Sequence, residues 1–374
     1  MALIPTSVSR LGQANQAGDA DALFLKVFSG EIITTFEKNN VMMPLHRVRT
    51  IQSGKSATFP TTGVASAGYH TPGESVLSQG TTGTTLYGST ASGSYSSSST
   101  STVEGSNGIT AKYLSKFNHN EKIVYIDDVL LSSVFVADID EMKNHYDVRS
   151  VYSTEIGRAL AYAADKNLIR TVIAGARKTT DRFGGSSTDY LGSRIQLSSS
   201  GYSAVTDAEI ITGLFTAAEK MDNAGVPQDD RFAVLTPNAY YKLIQGQSDA
   251  INRDYNDNNG SVASGVVFRV AGIQILKSPN LPSADESTNQ STLHGAAGIK
   301  NDVNGVTDAG YSGLNYSTTR GIVFHREAVA TVKLMDLSLE TDYITERLGT
   351  LMLAKYAMGH NILREECCYE LYAS

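Results

Sequence analysis

VRSVYSTEIGRALAYAADKNLIRTVIAGA, the stretch Val148–Ala176, decides the architecture. Val148, Tyr152, Ile156, Ala159, Leu160, Ala163, Leu168 and Val172 recur mostly at spacings of three and four, which predicts a helix with one broad apolar stripe. No proline interrupts the run. At 1.5 Å per residue such a helix is roughly 43 Å long, more than the usual helix of a small domain. It reads as a spine on which other elements are hung.

Upstream, residues 1–18 are polar, and Asp19 or Asp21 is placed to cap a short helix. Phe24, Val27, Phe28, Ile32 and Phe36 form its apolar face. Residues 47–59 alternate as an exposed strand does, and strand character returns at residues 122–127. Between them, residues 78–110 collapse to Ser, Thr and Gly, too poor in apolar area to order alone. The two flanking strands read as arms of one long hairpin. A two-stranded hairpin is marginal by itself, so it must lie on something, and a neighbouring copy is the natural support.

Downstream, Thr206-Asp207-Ala208-Glu209 is a capping box. Ile210, Ile211, Leu214, Phe215, Ala218 and Met221 form the face of the helix it starts, and Gly225 with Pro227 ends it. A strand follows at residues 231–235, and Thr236-Pro237-Asn238 opens a short helix with proline in its first turn. Further strands are expected at residues 265–270 and 273–276. A polar loop spans residues 283–311, and the stretches 322–334 and 344–358 read as strands returning to the spine. Chain halves that interleave in this way describe one α+β subunit with two lobes.

With 374 residues, 41% of them hydrophobic, the chain can bury a large core without covalent staples. A net charge of -7 with scattered Lys and Arg argues against a protein that coats nucleic acid. Cys367 and Cys368 are adjacent and cannot frame a fold, which favours a reducing compartment. Residues 1–16 lack the pattern of a secretory leader, and no apolar run approaches the roughly 20 residues of a membrane span.

Each tempting catalytic motif fails on spacing. Ser53-Gly54-Lys55-Ser56 resembles a phosphate loop, but the glycine required five residues before the Gly-Lys pair is Arg49. Asp127, Asp128, Asp138, Asp140 and Glu141 read as solvated edges rather than cation ligands, because no loop glycine or repeat accompanies them. The histidines at 46, 70, 119, 145, 294, 325 and 360 never fall as His-x-x-x-His, so no metal site is expected. His325 and His360 read as core-edge or interface residues rather than bases. No catalytic residue, cofactor or metal is expected, and the chain reads as a non-enzyme.

Five segments then carry a resemblance. Phe24-Leu25-Lys26-Val27-Phe28-Ser29-Gly30-Glu31, Ser53-Gly54-Lys55-Ser56-Ala57, Asn144-His145-Tyr146-Asp147-Val148-Arg149-Ser150 and Lys355-Tyr356-Ala357-Met358-Gly359-His360 are four of them. The fifth is His325-Arg326-Glu327-Ala328-Val329-Ala330-Thr331-Val332-Lys333-Leu334. Together they resemble, in order and across about residues 22–364, the major capsid proteins of short-tailed podoviruses, the autographivirus type that includes marine cyanophages. Residues 78–110 look like an insertion, and residues 179–204 and 283–311 depart from the family pattern.

The resemblance implies the Hong Kong 97 phage capsid fold, an α+β architecture. Its expected parts are an N-terminal arm (1–46), an extended loop (47–126, with the insertion 78–110), a peripheral domain with the spine helix (127–178 and 321–358), and an axial domain (179–320 and 359–374). It implies self-assembly as hexamers and pentamers into an icosahedral T=7 shell around double-stranded DNA, held without sequence-specific binding, followed by procapsid maturation. Expected partners are further copies, a scaffolding protein during assembly and a portal protein at one vertex, with no membrane. The protein is expected in the virion, assembled in the host bacterial cytoplasm. Interface residues are expected at Phe24, Val27, Phe28 and Ile32 in the arm, and at Lys55 and Phe59 in the extended loop. Lys55 is expected to form no crosslink, since no promoting carboxylate is assignable. The rival reading is an encapsulin-like nanocompartment shell of the same fold.

Overall fold

The computed structural model describes residues 35–36, 40–63, 69–70, 72, 119–126, 129–143, 148–181, 183, 190–198, 201, 205–245, 260–261, 266–267, 269–286 and 314–373. Regular structure begins with a 3-10 turn at Met43–Leu45, then strands β1 (Arg47–Thr50), β2 (Ser56–Thr62), β3 (His119–Tyr125) and β4 (Leu130–Ala137). Helices α1 (Asp138–Lys143) and α2 (Val148–Ala176) follow, then β5 (Ser193–Ser198), α3 (Asp207–Asn223), β6 (Arg231–Leu235) and α4 (Pro237–Gln245). The remaining strands are β7 (Gly260–Ser261), β8 (Val266–Val267), β9 (Arg269–Val270), β10 (Ile273–Lys277), β11 (Thr319–His325), β12 (Val329–Ile344), β13 (Gly349–Ile362) and β14 (Cys368–Ala373).

Helix α2 has the limits its periodicity predicts, but its burial departs from a single stripe. In its first half, Ile156, Leu160, Ala161 and Ala164 pack with Val136, Met352, Ala354 and Met358, while Ala159 faces solvent. From Leu168 to Ala176 every residue is buried, and Leu168, Ile169, Val172 and Ile173 join a second, larger core. This half of the helix is enclosed on all sides, its polar Arg170 and Thr171 included. Gly175 marks the tightest point, because a Cβ there would lie 2.7 Å from the Cys368 sulfur.

Each half of α2 carries a sheet. The first half packs on a four-stranded sheet of order β1-β12-β13-β4, in which β1 runs parallel to β12 and the other pairs are antiparallel. The second half packs on a six-stranded sheet of order β5-β14-β11-β6-β10-β9. Helices α3 and α4 seal that sheet with Ile210, Leu214, Met221 and Leu243. The capping box at Thr206 and Glu209 forms as expected. At the other end of α3, Val226 N–H reaches the Met221 carbonyl and Gly225 N–H the Asp222 carbonyl, with Gly225 at φ 68°. That left-handed turn is the ending for which glycine is selected. Phe215, expected on the buried face, is 55% exposed, because the apolar arc of α3 is wider than the face the sheet covers.

Three strand expectations are corrected. Residues 322–334 form two strands, not one: β11 pairs with β6 and β14, and β12 pairs with β1 and β13. A turn through Arg326 and Glu327 separates them, with Ala328 N–H bonded to the His325 carbonyl. The break is hidden in the sequence because both ends are buried, so no alternation marks it. Residues 47–59 likewise split at a bend, with β1 entering the four-stranded sheet and β2 pairing with β3 as the hairpin expectation requires. Residues 265–270 are the short strands β8 and β9, the latter turned onto β10 through Ala271 and Gly272, both at positive φ. Residues 60–122 form a compact unit of their own, in which Thr61 Oγ1 donates to the Asn120 carbonyl at 2.9 Å. The expected helix around Phe24 and the whole block 78–110 lie outside the described residues.

Candidate functional site at the lobe junction

The chain entering β1 crosses α2 where its two cores meet. Phe36 sits in the first core, edge-on to Tyr356 at 6.0 Å, whereas Met42 is buried in the second. Between them, the buried Asp165 carboxylate accepts Val41 N–H at 3.0 Å, Met42 N–H at 3.1 Å and the Asn280 side-chain amide at 3.2 Å. Burial raises the Asp165 pKa, and the hydrogen bonds from Val41, Met42 and Asn280 oppose that rise. Asn40 Oδ1 accepts Met43 N–H at 2.8 Å, which tightens the turn. One side chain on α2 therefore fixes both the strap at residues 40–46 and the loop after β10.

A second polar chain closes the strap onto the four-stranded sheet. His46 Nδ1 lies 2.8 Å from the Met42 carbonyl and can only donate to it. Its Nε2 must then accept, and the Thr331 hydroxyl donates to it at 2.5 Å. His360 Nδ1 in turn donates to Thr331 Oγ1 at 2.8 Å. The hydrogen positions follow from this network. All three side chains are buried; the direction of the chain requires the His46 ring to be neutral, and the enclosure of His360 disfavours its charged form. Burial first, then the Lys333 charge, holds His46 down at about 4, despite the opposing Met42 carbonyl. Burial, His46 and Lys333 hold His360 at about 3.

The six-stranded lobe is held by charge instead. Glu370 on β14 is fully enclosed and receives Arg177 through two bonds of 2.7 and 2.6 Å, Arg194 at 2.9 Å and the Thr319 hydroxyl at 2.6 Å. Lys178 meets Glu365 at 2.9 Å, and Arg170 meets Glu286 at 2.6 Å. Arg170 in the last turns of α2 thus anchors the neck at residues 284–286, while Arg177 and Lys178 just beyond the helix anchor the final strand and the turn before it.

Among the described residues no group of three or more His, Cys, Asp or Glu side chains has the geometry to hold a metal. Ser53-Gly54-Lys55-Ser56 occupies the bend between β1 and β2, without the helix that a phosphate loop needs. Lys55 is exposed, and its carbonyl accepts Ile126 N–H at 3.0 Å. Phe59 is placed otherwise than expected. Its ring is buried with Ala57, Val124, Ala330 and Val332 beneath Arg47 and Arg49, whose guanidinium carbons stand 6.0 and 5.9 Å from its centre. The alternation of a strand says which residues share a face, not which face is covered, and here Phe59 points inward. Phe24, Val27, Phe28 and Ile32, with Asp127 and Asp128, lie outside the described residues. Asp138 accepts the Tyr343 hydroxyl at 2.7 Å. His325 is buried with its pKa lowered, burial being the largest cause, and its Nδ1 accepts Glu327 N–H. Asp165 carried a sequence signal that was missed: a carboxylate in the midst of Ala161, Ala164 and Leu168, on an apolar helix, is a buried one.

The geometry is that of a scaffold with two lobes on one helix and a strap across them. The sequence matches the Gp10A-like major capsid protein family over residues 106–372. The chain belongs to that family. It is 31% identical over 359 residues to the major capsid protein of Escherichia phage T7, covering 94% of this chain and 91% of that one. The capsid structure of cyanophage P-SCSP1u superposes with a TM-score of 0.66 at 37% identity, covering 99% of both chains. The mature capsid of bacteriophage PhiM1 shares the fold at 14% identity, with a TM-score of 0.62 over 97% of this chain and 92% of that one. The protein is therefore a podovirus-type major capsid protein with the Hong Kong 97 fold, a structural component of the virion shell. No helix among the described residues is long and apolar enough to cross a membrane.

Proposed function

We propose that this chain assembles as hexamers and pentamers into a T=7 icosahedral shell that encloses double-stranded DNA, matures from a procapsid, and performs no catalysis. The observation that carries the reading is the match in sequence and in fold to a cyanophage capsid along nearly the whole chain. Its net charge of -7 fits a wall that confines DNA without gripping it. Many weak contacts with several neighbours, summed over the shell, give stability by multivalent linkage.

The arm is assigned to residues 1–46, and residues 47–50, 127–178 and 329–362 to the peripheral domain, whose strands share the four-stranded sheet. The axial domain is assigned residues 179–325 and 363–374, because β11 belongs to the six-stranded sheet. The extended loop is assigned to residues 51–126, because β1 lies in the four-stranded sheet. Phe24, Val27, Phe28 and Ile32 of the arm and Lys55 of the loop are assigned to contacts between copies. Phe59 is withdrawn from that set. A scaffolding protein guides assembly and a portal protein occupies one vertex.

Co-expression with a scaffolding partner, followed by negative-stain microscopy and nuclease digestion of particles purified from infected cells, tests this. Shells holding long protected DNA are expected, whereas shells filled with a cargo enzyme would overturn the reading. Replacing Phe24 and Phe28 by Asp is expected to leave soluble subunit and no shells. Denaturing gels of shells are expected to give a monomer band, without a Lys55-dependent ladder.

A further inference from the structure

The four-stranded sheet has two edges of opposite character. β1 carries Arg47 and Arg49 in four exposed residues, and charge on an edge strand discourages pairing with another chain. β4 pairs only with β13 among the described strands, and residues 129–137 contain no charged residue, no proline and no glycine. One face of β4 is turned to α2 through Leu130, Val134 and Val136. The other face is open: Leu131 is 57% and Val129 44% exposed. Long, uncharged, apolar edge strands are templates for a further strand, and a soluble monomer blunts them.

The end of this edge is apolar as well. Asp138 N–H bonds to the Leu348 carbonyl, and the Tyr343 hydroxyl bonds to the Asp138 carboxylate. These contacts gather Tyr343 and Leu348 beside Ile139 at the start of α1. Leu348 is 66% exposed and holds a left-handed φ of 48°, a conformation that glycine or asparagine adopts more readily. Apolar side chains kept together at a strained, solvated turn mark a contact surface.

We infer that the open edge of β4 and the apolar tip beside it dock a second copy of this chain, which adds a strand along the edge. The inference rests on the shell reading proposed above. A shell of identical subunits supplies that copy at every position, and an edge open in the free subunit is then covered in the particle.

Ser133 is exposed on β4 while Cys367 and Cys368 are buried, so Ser133→Cys gives one reactive thiol. Maleimide labelling of this variant is expected to slow at least ~10-fold from free subunit to purified shells made of this chain alone. Equal rates in both, or protection only after a second protein is added, would overturn the inference. Leu131→Lys is expected to abolish shells while the subunit melts as the unaltered chain does. Thr50→Lys, on the charged edge, is expected to assemble normally. Normal shells from Leu131→Lys, or equal loss from both variants, would also overturn it. The unaltered chain is assembled in parallel with its scaffolding partner, and if it forms no shells the shell reading falls and this inference with it.

Discussion

The two lobes on α2 solve the same problem in different ways. The four-stranded lobe fills its polar interior with a neutral chain, His360 to Thr331 to His46. The six-stranded lobe fills it with ions, Glu370 with Arg177 and Arg194 foremost. A neutral chain is stable only while its histidines stay unprotonated. An ionic cluster fails when one charge loses its partner, because desolvation is no longer offset. The lobes should therefore break under different insults.

Acid should produce the largest effect. Both histidines have folded pKa values below the unfolded value near 6.5, so the unfolded chain takes up protons first as pH falls. The stability they contribute is complete above about pH 6.5 and is lost progressively as pH drops towards about 4 for His46 and about 3 for His360. Each should withdraw on the order of 3 kcal/mol by pH 4, at about 1.4 kcal/mol per pKa unit. Urea melts of the subunit between pH 7 and 4 measure this, and a flat profile would remove the contrast between the lobes.

Next in size is Glu370→Ala, which leaves Arg177 without its buried partner and should cost about 3–5 kcal/mol at neutral pH. Replacing the pair with apolar residues should recover much of that loss, which thermal melts of the double variant would show. Asp165→Ala frees two strap amides and should cost about 2 kcal/mol, by analogy with buried donors left unsatisfied. Hydrogen exchange at Val41 and Met42 should rise in that variant while exchange in α3 stays unchanged. The smallest effect is Thr206→Ala, about 1 kcal/mol for a lost cap, confined to the six-stranded lobe. A larger loss there would mean that α3 supports more than its own sheet.

Much of this was legible along the chain. Helix α2 reads at both ends because its apolar residues repeat without proline, and α3 because its cap and its Gly225 ending are local chemistry. Strand β6 and helix α4 read for the same reason. Phe59 and Phe215 were misplaced in opposite directions, since periodicity ranks faces but does not say which neighbour covers them. Asp165, His46, Thr331 and Glu370 were not picked out. Each is polar, and what makes it structural is a partner distant in the chain, such as His46 with Thr331, 285 residues away.

By itself the sequence determined the local elements, the lack of catalytic spacing and the family to which the chain belongs, because periodicity, caps and motif order are written in neighbouring residues. The tertiary structure alone decided that residues 322–334 divide between two sheets, that the strap crosses α2 at Asp165, and that one edge of the sheet is charged while the other is open. Those outcomes depend on which distant strands pair and in what register. That choice is set by the summed burial of both partners, which no single stretch of the chain contains.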